Sequence, residues 1–205
     1  IINREFYKKA ISVVCQSKIH AKVVRENLNL SNVINIGCSM WSDSELATIK
    51  KHSSAAKNGK CAVLNSQNRI KGTPEAIHFC ETQKLEYELI GSQDYESFIS
   101  QLSKYESLAF FSQVLESFCR LVVEARMLGC KLYTNQNNGC VSEEWFSQHR
   151  GLDLINFVEQ QREDNIDRIA LLVKEGRPDV AKNADITVIL NSYRRPYNLE
   201  KQVAA

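Results

Sequence analysis

Seven short apolar runs, rich in β-branched residues, recur along the chain at residues 11–15, 33–36, 61–64, 87–90, 108–111, 131–134 and 186–190. The intervals between most of them are long enough for a helix of ten or more residues. Strands joined by helical crossovers run parallel, because a tight hairpin cannot connect parallel neighbours. With only three prolines and eight glycines to interrupt it, the sequence predicts long regular elements. The expected fold class is therefore α/β, a Rossmann-like parallel sheet flanked by helices.

Helix starts are legible in the same way. Ser17 can cap a helix running to about Leu28. Thr73 reads as an N-cap followed by Pro74 at the first helical position and Glu75 in the first turn. Ser142, Glu143 and Glu144 open a further helix, and residues 153–173 read as helical almost throughout, with a bend near Asp164. Two polar stretches, residues 37–59 and 174–184, read as seams between folded units.

Net charge excludes one class of function. Twenty-six Lys and Arg stand against 24 Asp and Glu, a balance of +2, so there is no basic excess to neutralise a nucleic-acid backbone. Seven cysteines with no Cys-x-x-Cys pair read as reduced intracellular thiols, and four scattered histidines offer no metal-ligand spacing. No signal peptide and no apolar run of about 18 residues is present, which points to a cytoplasmic chain. The start at Ile1, without Met, reads as the loss of an N-terminal portion.

Two segments carry chemistry. Residues 65–74 lie between a buried strand and a helix start, at the sheet edge where α/β folds bind ligands. Lys71 and Gly72 in that loop read either as a phosphate site, with a cation beside a helix N-terminus, or as a surface turn. There is no G-x-G-x-x-G and no Walker-type loop, which argues against dinucleotide and P-loop chemistry. In the second segment Phe118, Leu121, Val122, Ala125 and Leu128 mark the core face of a helix. Glu116 stands just before it. Glu124 falls on the border of the apolar stripe, half-desolvated and in need of a donor partner such as a ligand hydroxyl. The alternative for this pair is a capping acid and a solvated helix glutamate.

The spacing Glu116-x7-Glu124, continuing through Ala125 to Leu128-Gly129-Cys130, resembles the signature of family-4-type retaining glycosyltransferases of GT-B architecture. Lys71-Gly72 followed by Ala76-Ile77 is similar to that family's phosphate-binding segment. The resemblance covers about residues 58–173. It implies three regions: residues 1–57 as the end of the GT-B N-terminal half with its linker, 58–175 as the nucleotide-sugar-binding domain, and 176–205 as a linker and a further first strand. That last part, residues 184–202, resembles the opening of a family-2-type (GT-A) glycosyltransferase.

The resemblance also implies roles. Lys71 and Gly72 would face the donor's phosphates, with Arg69 nearby. Glu116, the catalytic residue, would lie against the donor sugar. Glu124 would accept hydrogen bonds from the ribose, and the N–H groups of Ser117 and Phe118 would hold diphosphate or sugar oxygens. The donor would be a nucleoside diphosphate sugar and the acceptor a saccharide or lipid, with no other cofactor and no metal. The setting would be polysaccharide biosynthesis, with room for peripheral membrane association of a full-length protein. The chain itself is expected to bind donor nucleotide without transferring sugar. A nucleotide-sugar epimerase and a non-catalytic nucleotide-sugar-binding domain are the alternatives. The sequence departs from the family at Leu64-Asn65, where Gly-Arg is usual, and at Ser117 and Cys119, where glycines are usual.

Overall fold

The computed structural model describes residues 4–91 and 94–176. Six of the seven predicted strands lie within them; the seventh, with the tail that resembles a GT-A start, falls outside. Strands β1 (Val13–Cys15) and β2 (Val33–Asn35) pair in parallel. Strands β3 (Cys61–Leu64), β4 (Tyr87–Ile90), β5 (Ser107–Phe110) and β6 (Lys131–Thr134) form a second parallel sheet in the order β4-β3-β5-β6. The helices are α1 (Arg4–Lys9), α2 (Lys18–Leu28), α3 (Asp43–His52), α4 (Thr73–Thr82), α5 (Tyr95–Leu102), α6 (Arg120–Met127), α7 (Trp145–Gln148) and α8 (Gly151–Gly176). The chain is α/β with parallel sheets flanked by helices, as the run pattern predicts.

Alternation along the strands builds two layers around the larger sheet. Ala62, Leu108 and Phe110 point into a core shared with α3, α5, α6 and α8, where Trp41, Ile49, Ile99, Val122 and Leu154 are buried. Cys61, Val63 and Ala109 point the other way, against Ala76 and Cys80 of α4. From β3 the chain travels one way to β4 and then back past β3 to β5 and β6. The reversal puts α4 on the opposite face from α5 and α6, as crossovers of a single hand require.

The local readings mostly hold, with three differences. As expected, Ser17 caps α2 by accepting the His20 N–H and the helix runs to Leu28; Asn29 follows as its C-cap in the left-handed region. At α4 the cap position belongs to Gly72, not Thr73. The Thr73 hydroxyl turns instead to β3 and donates to the Leu64 carbonyl at 2.7 Å. Residues 142–144 do not open a long helix. Ser142 ends a 3-10 turn (Gly139–Ser142), and α7 has one turn. Glu143 is diverted to the N-terminus of α2, where it accepts the Lys18 N–H at 2.6 Å.

The third difference is α3, which lies inside the stretch read as a seam. Its start is a capping box: Ser42 Oγ accepts the Glu45 N–H and Glu45 accepts the Ser42 N–H. Trp41, Leu46 and Ile49 bury its inner side in the main core. The outward face is polar enough that average composition conceals the helix.

Specific bonds fix the smaller sheet to the larger one. Trp145 Nε1 donates to the Gly37 carbonyl at 2.8 Å, Asn165 to the Ile36 carbonyl at 3.0 Å, and Ser17 Oγ to the Ser117 carbonyl at 2.6 Å. Behind the sheet, Lys57 Nζ donates to the carbonyls of Ser103 and Leu128, each at 2.8 Å, closing the C-termini of α5 and α6 together. All seven cysteines are free and buried. Burial pushes the thiols of Cys15 up to about 11 and of Cys38 and Cys80 up to about 12, which leaves them protonated and unreactive near neutral pH.

Candidate functional site

Strand order locates the site before any side chain is considered. The chain leaves β3 in one direction for β4 and returns on the other side for β5. The loops after β3 and β5 therefore diverge and open a crevice at the carboxyl ends of these two strands. Lys71 is carried by the first loop and Glu116 by the second. Their side chains meet across the crevice, Lys71 Nζ lying 2.9 Å from Glu116 Oε1.

Both loops are held by backbone bonds. Residues Arg69–Lys71 form a 3-10 turn started by Asn68, whose side chain accepts the Ile70 N–H at 3.2 Å. Gly72 follows at φ 68°, in the left-handed region. A Cβ on Gly72 would overlap the Phe111 carbonyl oxygen, so only glycine lets the two loops pass this closely. The Gln113 N–H donates to the Ile70 carbonyl at 2.8 Å and joins them. Glu116 is gripped from the far side, its N–H donating to Asn137 at 2.7 Å and its carbonyl accepting the Gly139 N–H at 3.1 Å. The Lys71 side chain is 34% exposed and that of Glu116 17%, so the pair is half-buried and solvent still reaches it.

Glu124 lies in a second cluster. It is 5% exposed, more deeply buried than its position on the stripe border predicts, because Trp41 and Tyr95 cover that side of α6. Its Oε1 accepts from Trp41 Nε1 at 2.9 Å, Tyr95 Oη at 3.1 Å and Arg120 Nε at 3.3 Å. Among the described residues Oε2 accepts no hydrogen bond. Arg120 also donates to Glu45 at 2.7 Å, and its guanidinium lies 4.9 Å from the centre of the Trp41 ring and 5.9 Å from that of Tyr95. Burial works against the Arg120 charge, but Glu124 and Glu45 outweigh it and shift its pKa upward. Burial, then the Glu124 charge, pushes the Tyr95 phenol far above its ordinary value, so it remains a hydrogen-bond donor.

Between the clusters runs the start of α6. Cys119 holds its N-cap position at φ 72°, a conformation in which glycine is the unstrained choice. The side chain of Phe118 is buried in the core against Trp41 and Trp145. Among the described residues the N–H groups of Ser117 and Phe118 have no hydrogen-bond acceptor.

Of the residues singled out from sequence, Lys71, Gly72 and Glu116 come together directly. Glu124 belongs to the neighbouring cluster, and among the described residues no hydrogen bond joins the two groups. Arg69 stands apart. It is exposed on the outer side of its turn and lines a 330 Å³ hollow with Ile70, Pro74, Glu75 and Gln113. Sequence reading missed Trp41, Glu45, Tyr95 and Arg120. Arg120 sits four residues before Glu124, the spacing of a helical ion pair, and Glu45 completes the Ser42 capping box, so both left a signal. Trp41 and Tyr95 left none.

Among the described residues no three His, Cys, Asp or Glu side chains gather as a metal site, and no helix is long and apolar enough to cross a membrane. Neither a scan against protein-family models nor a search of curated proteins finds a match to this chain.

Proposed function

We propose that the chain carries the nucleotide-sugar site of a retaining glycosyltransferase of GT-B architecture, which moves a sugar from a nucleoside diphosphate to a saccharide or lipid acceptor. The observation that carries this reading is the Lys71–Glu116 contact of 2.9 Å across the divergence of β3 and β5. As the bond from the sugar to the diphosphate breaks, negative charge develops on the leaving phosphate. Lys71 and the N–H groups of Ser117 and Phe118, which have no acceptor among the described residues, would supply fixed positive charge and dipoles to it. Glu116 holds the lysine extended over the crevice and would lie against the donor sugar. Glu124, with Oε1 occupied and Oε2 without a donor among the described residues, would take the ribose. The left-handed Cys119 also supports the reading, since it stands where the resembled family places glycine.

A thermal-shift panel of nucleoside diphosphate sugars tests the proposal. A ligand at about 100 times its dissociation constant stabilises by roughly 2.7 kcal/mol, a shift well within detection. No shift with any uridine, guanosine, adenosine or thymidine diphosphate sugar would remove the reading. Product analysis with the sugar that binds then separates transfer, epimerisation and binding without turnover.

A further inference from the structure

Glu124 is bound one-sidedly. A carboxylate that serves only to brace a core would be expected to spread its donors over both oxygens, because each has two lone pairs to satisfy. Here three donors from three separate places converge on Oε1: Trp41 ahead of α3, Tyr95 at the start of α5 and Arg120 one turn earlier on α6. Among the described residues Oε2 has no donor at all. The arrangement fixes the carboxylate's rotation and, among the described residues, leaves the other oxygen without a donor.

The charge around it is lopsided too. Glu45 and Glu124 both contact Arg120, so two carboxylates share one guanidinium and the cluster carries one uncompensated negative charge. It therefore repels phosphate and attracts neutral hydrogen-bond donors such as a vicinal diol. Lys71 and the α6 N–H groups have the opposite preference. Lys71 is itself paired with Glu116; in the proposed site the phosphate end would lie at Lys71 and the hydroxyl end at Glu124.

We infer that Trp41, Tyr95 and Arg120 are positioning residues for the donor nucleoside, which lock Glu124 through Oε1 so that Oε2 is presented to a ribose hydroxyl. The inference rests on the proposed function and adds residues and a ligand orientation that the motif does not contain. Tyr95 is the most direct probe, because Phe keeps its half-buried ring and removes only the hydroxyl.

The test is calorimetric titration of wild type and Tyr95→Phe with uridine, guanosine and adenosine diphosphates, with their 2′,3′-dideoxy counterparts, and with inorganic pyrophosphate. Freed from one donor, Glu124 should lose its preset rotation, and Tyr95→Phe should bind the ribonucleotide about tenfold more weakly, the size of one charge-assisted hydrogen bond. Affinity for the dideoxynucleotide and for pyrophosphate should not change. Arg120→Lys, which keeps the charge but loses the fork, should show the same pattern. An unchanged ribonucleotide affinity in Tyr95→Phe, or an equal loss for the dideoxy ligand, overturns the inference while leaving the proposed function in place. If wild type binds none of the three nucleotides, the proposed function and the inference fall together.

Discussion

Gly72 passes directly beneath the carbonyl of Phe111, at a separation that leaves no room for a Cβ. Gly72 ends the loop after β3 and Phe111 begins the loop after β5, so this close approach, with the Gln113–Ile70 bond, holds together the loops that carry Lys71 and Glu116. The ion pair in the crevice depends on backbone packing before it depends on charge.

Gly72→Ala should therefore be costly twice over. A non-glycine residue in the left-handed region costs roughly 1–2 kcal/mol, and the overlap with Phe111 must be relieved by moving a loop. Urea unfolding should show a loss of about 3 kcal/mol or more, within the range of the severe backbone substitutions. A variant with wild-type stability and wild-type pyrophosphate affinity would contradict the account.

Lys71→Ala and Glu124→Ala should separate the two ends of the crevice. Removing the lysine should weaken a nucleoside diphosphate far more than the bare nucleoside. Removing Glu124 should weaken both alike, because its proposed partner is the ribose. Isothermal titration with the two ligands measures this directly, and equal losses in Lys71→Ala would sink the phosphate role.

Ile49→Ala tests whether α3 belongs to the core. A surface position in a linker would tolerate the change within about 0.5 kcal/mol. Buried between α5 and α8, it should cost about 2–5 kcal/mol, read from the shift in denaturation midpoint.

That segment also shows where the sequence is legible and where it is not. Runs such as residues 61–64 and 108–111 are apolar throughout, because both faces of the sheet are covered, and they stand out without help. In α3 only Leu46 and Ile49 are buried, and the polar remainder resembles a linker; the Ser42–Glu45 box was the readable clue. Glu124 was readable as a residue needing a donor, but the donors come from positions 29 and 83 residues away, which no local pattern predicts. Thr73 looked like a cap because its hydroxyl is of the right type. Its bond to Leu64 is a tertiary choice that the strand, not the helix, makes available.

Stability should fall in alkali. The folded-state values of Cys15 and Cys38, about 11 and about 12, lie above the 9.0 expected of an exposed thiol. Their contribution is complete below pH 9 and is lost as pH rises from there through the folded values, since the unfolded chain releases protons first. Tyr105, pushed up to about 12 by burial and by its bond to Glu88, acts in the same direction. On the acid side Glu45 is held below its ordinary value: burial opposes this, but Arg120 and the Ser42 N–H prevail, so its contribution fades as pH falls. Urea midpoints measured from pH 4 to pH 10.5 should form a plateau with both limbs descending. A midpoint at pH 10.5 equal to that at pH 7 would refute the alkaline limb.

The ammonium of Lys57 joins two helices at once. It ties the ends of α5 and α6 farthest from the crevice, while Tyr95 and Arg120 open the same two helices at the crevice itself. Eight residues of helix span about 12 Å, so one half-buried lysine braces, from that distance, the two helices that carry Tyr95 and Arg120.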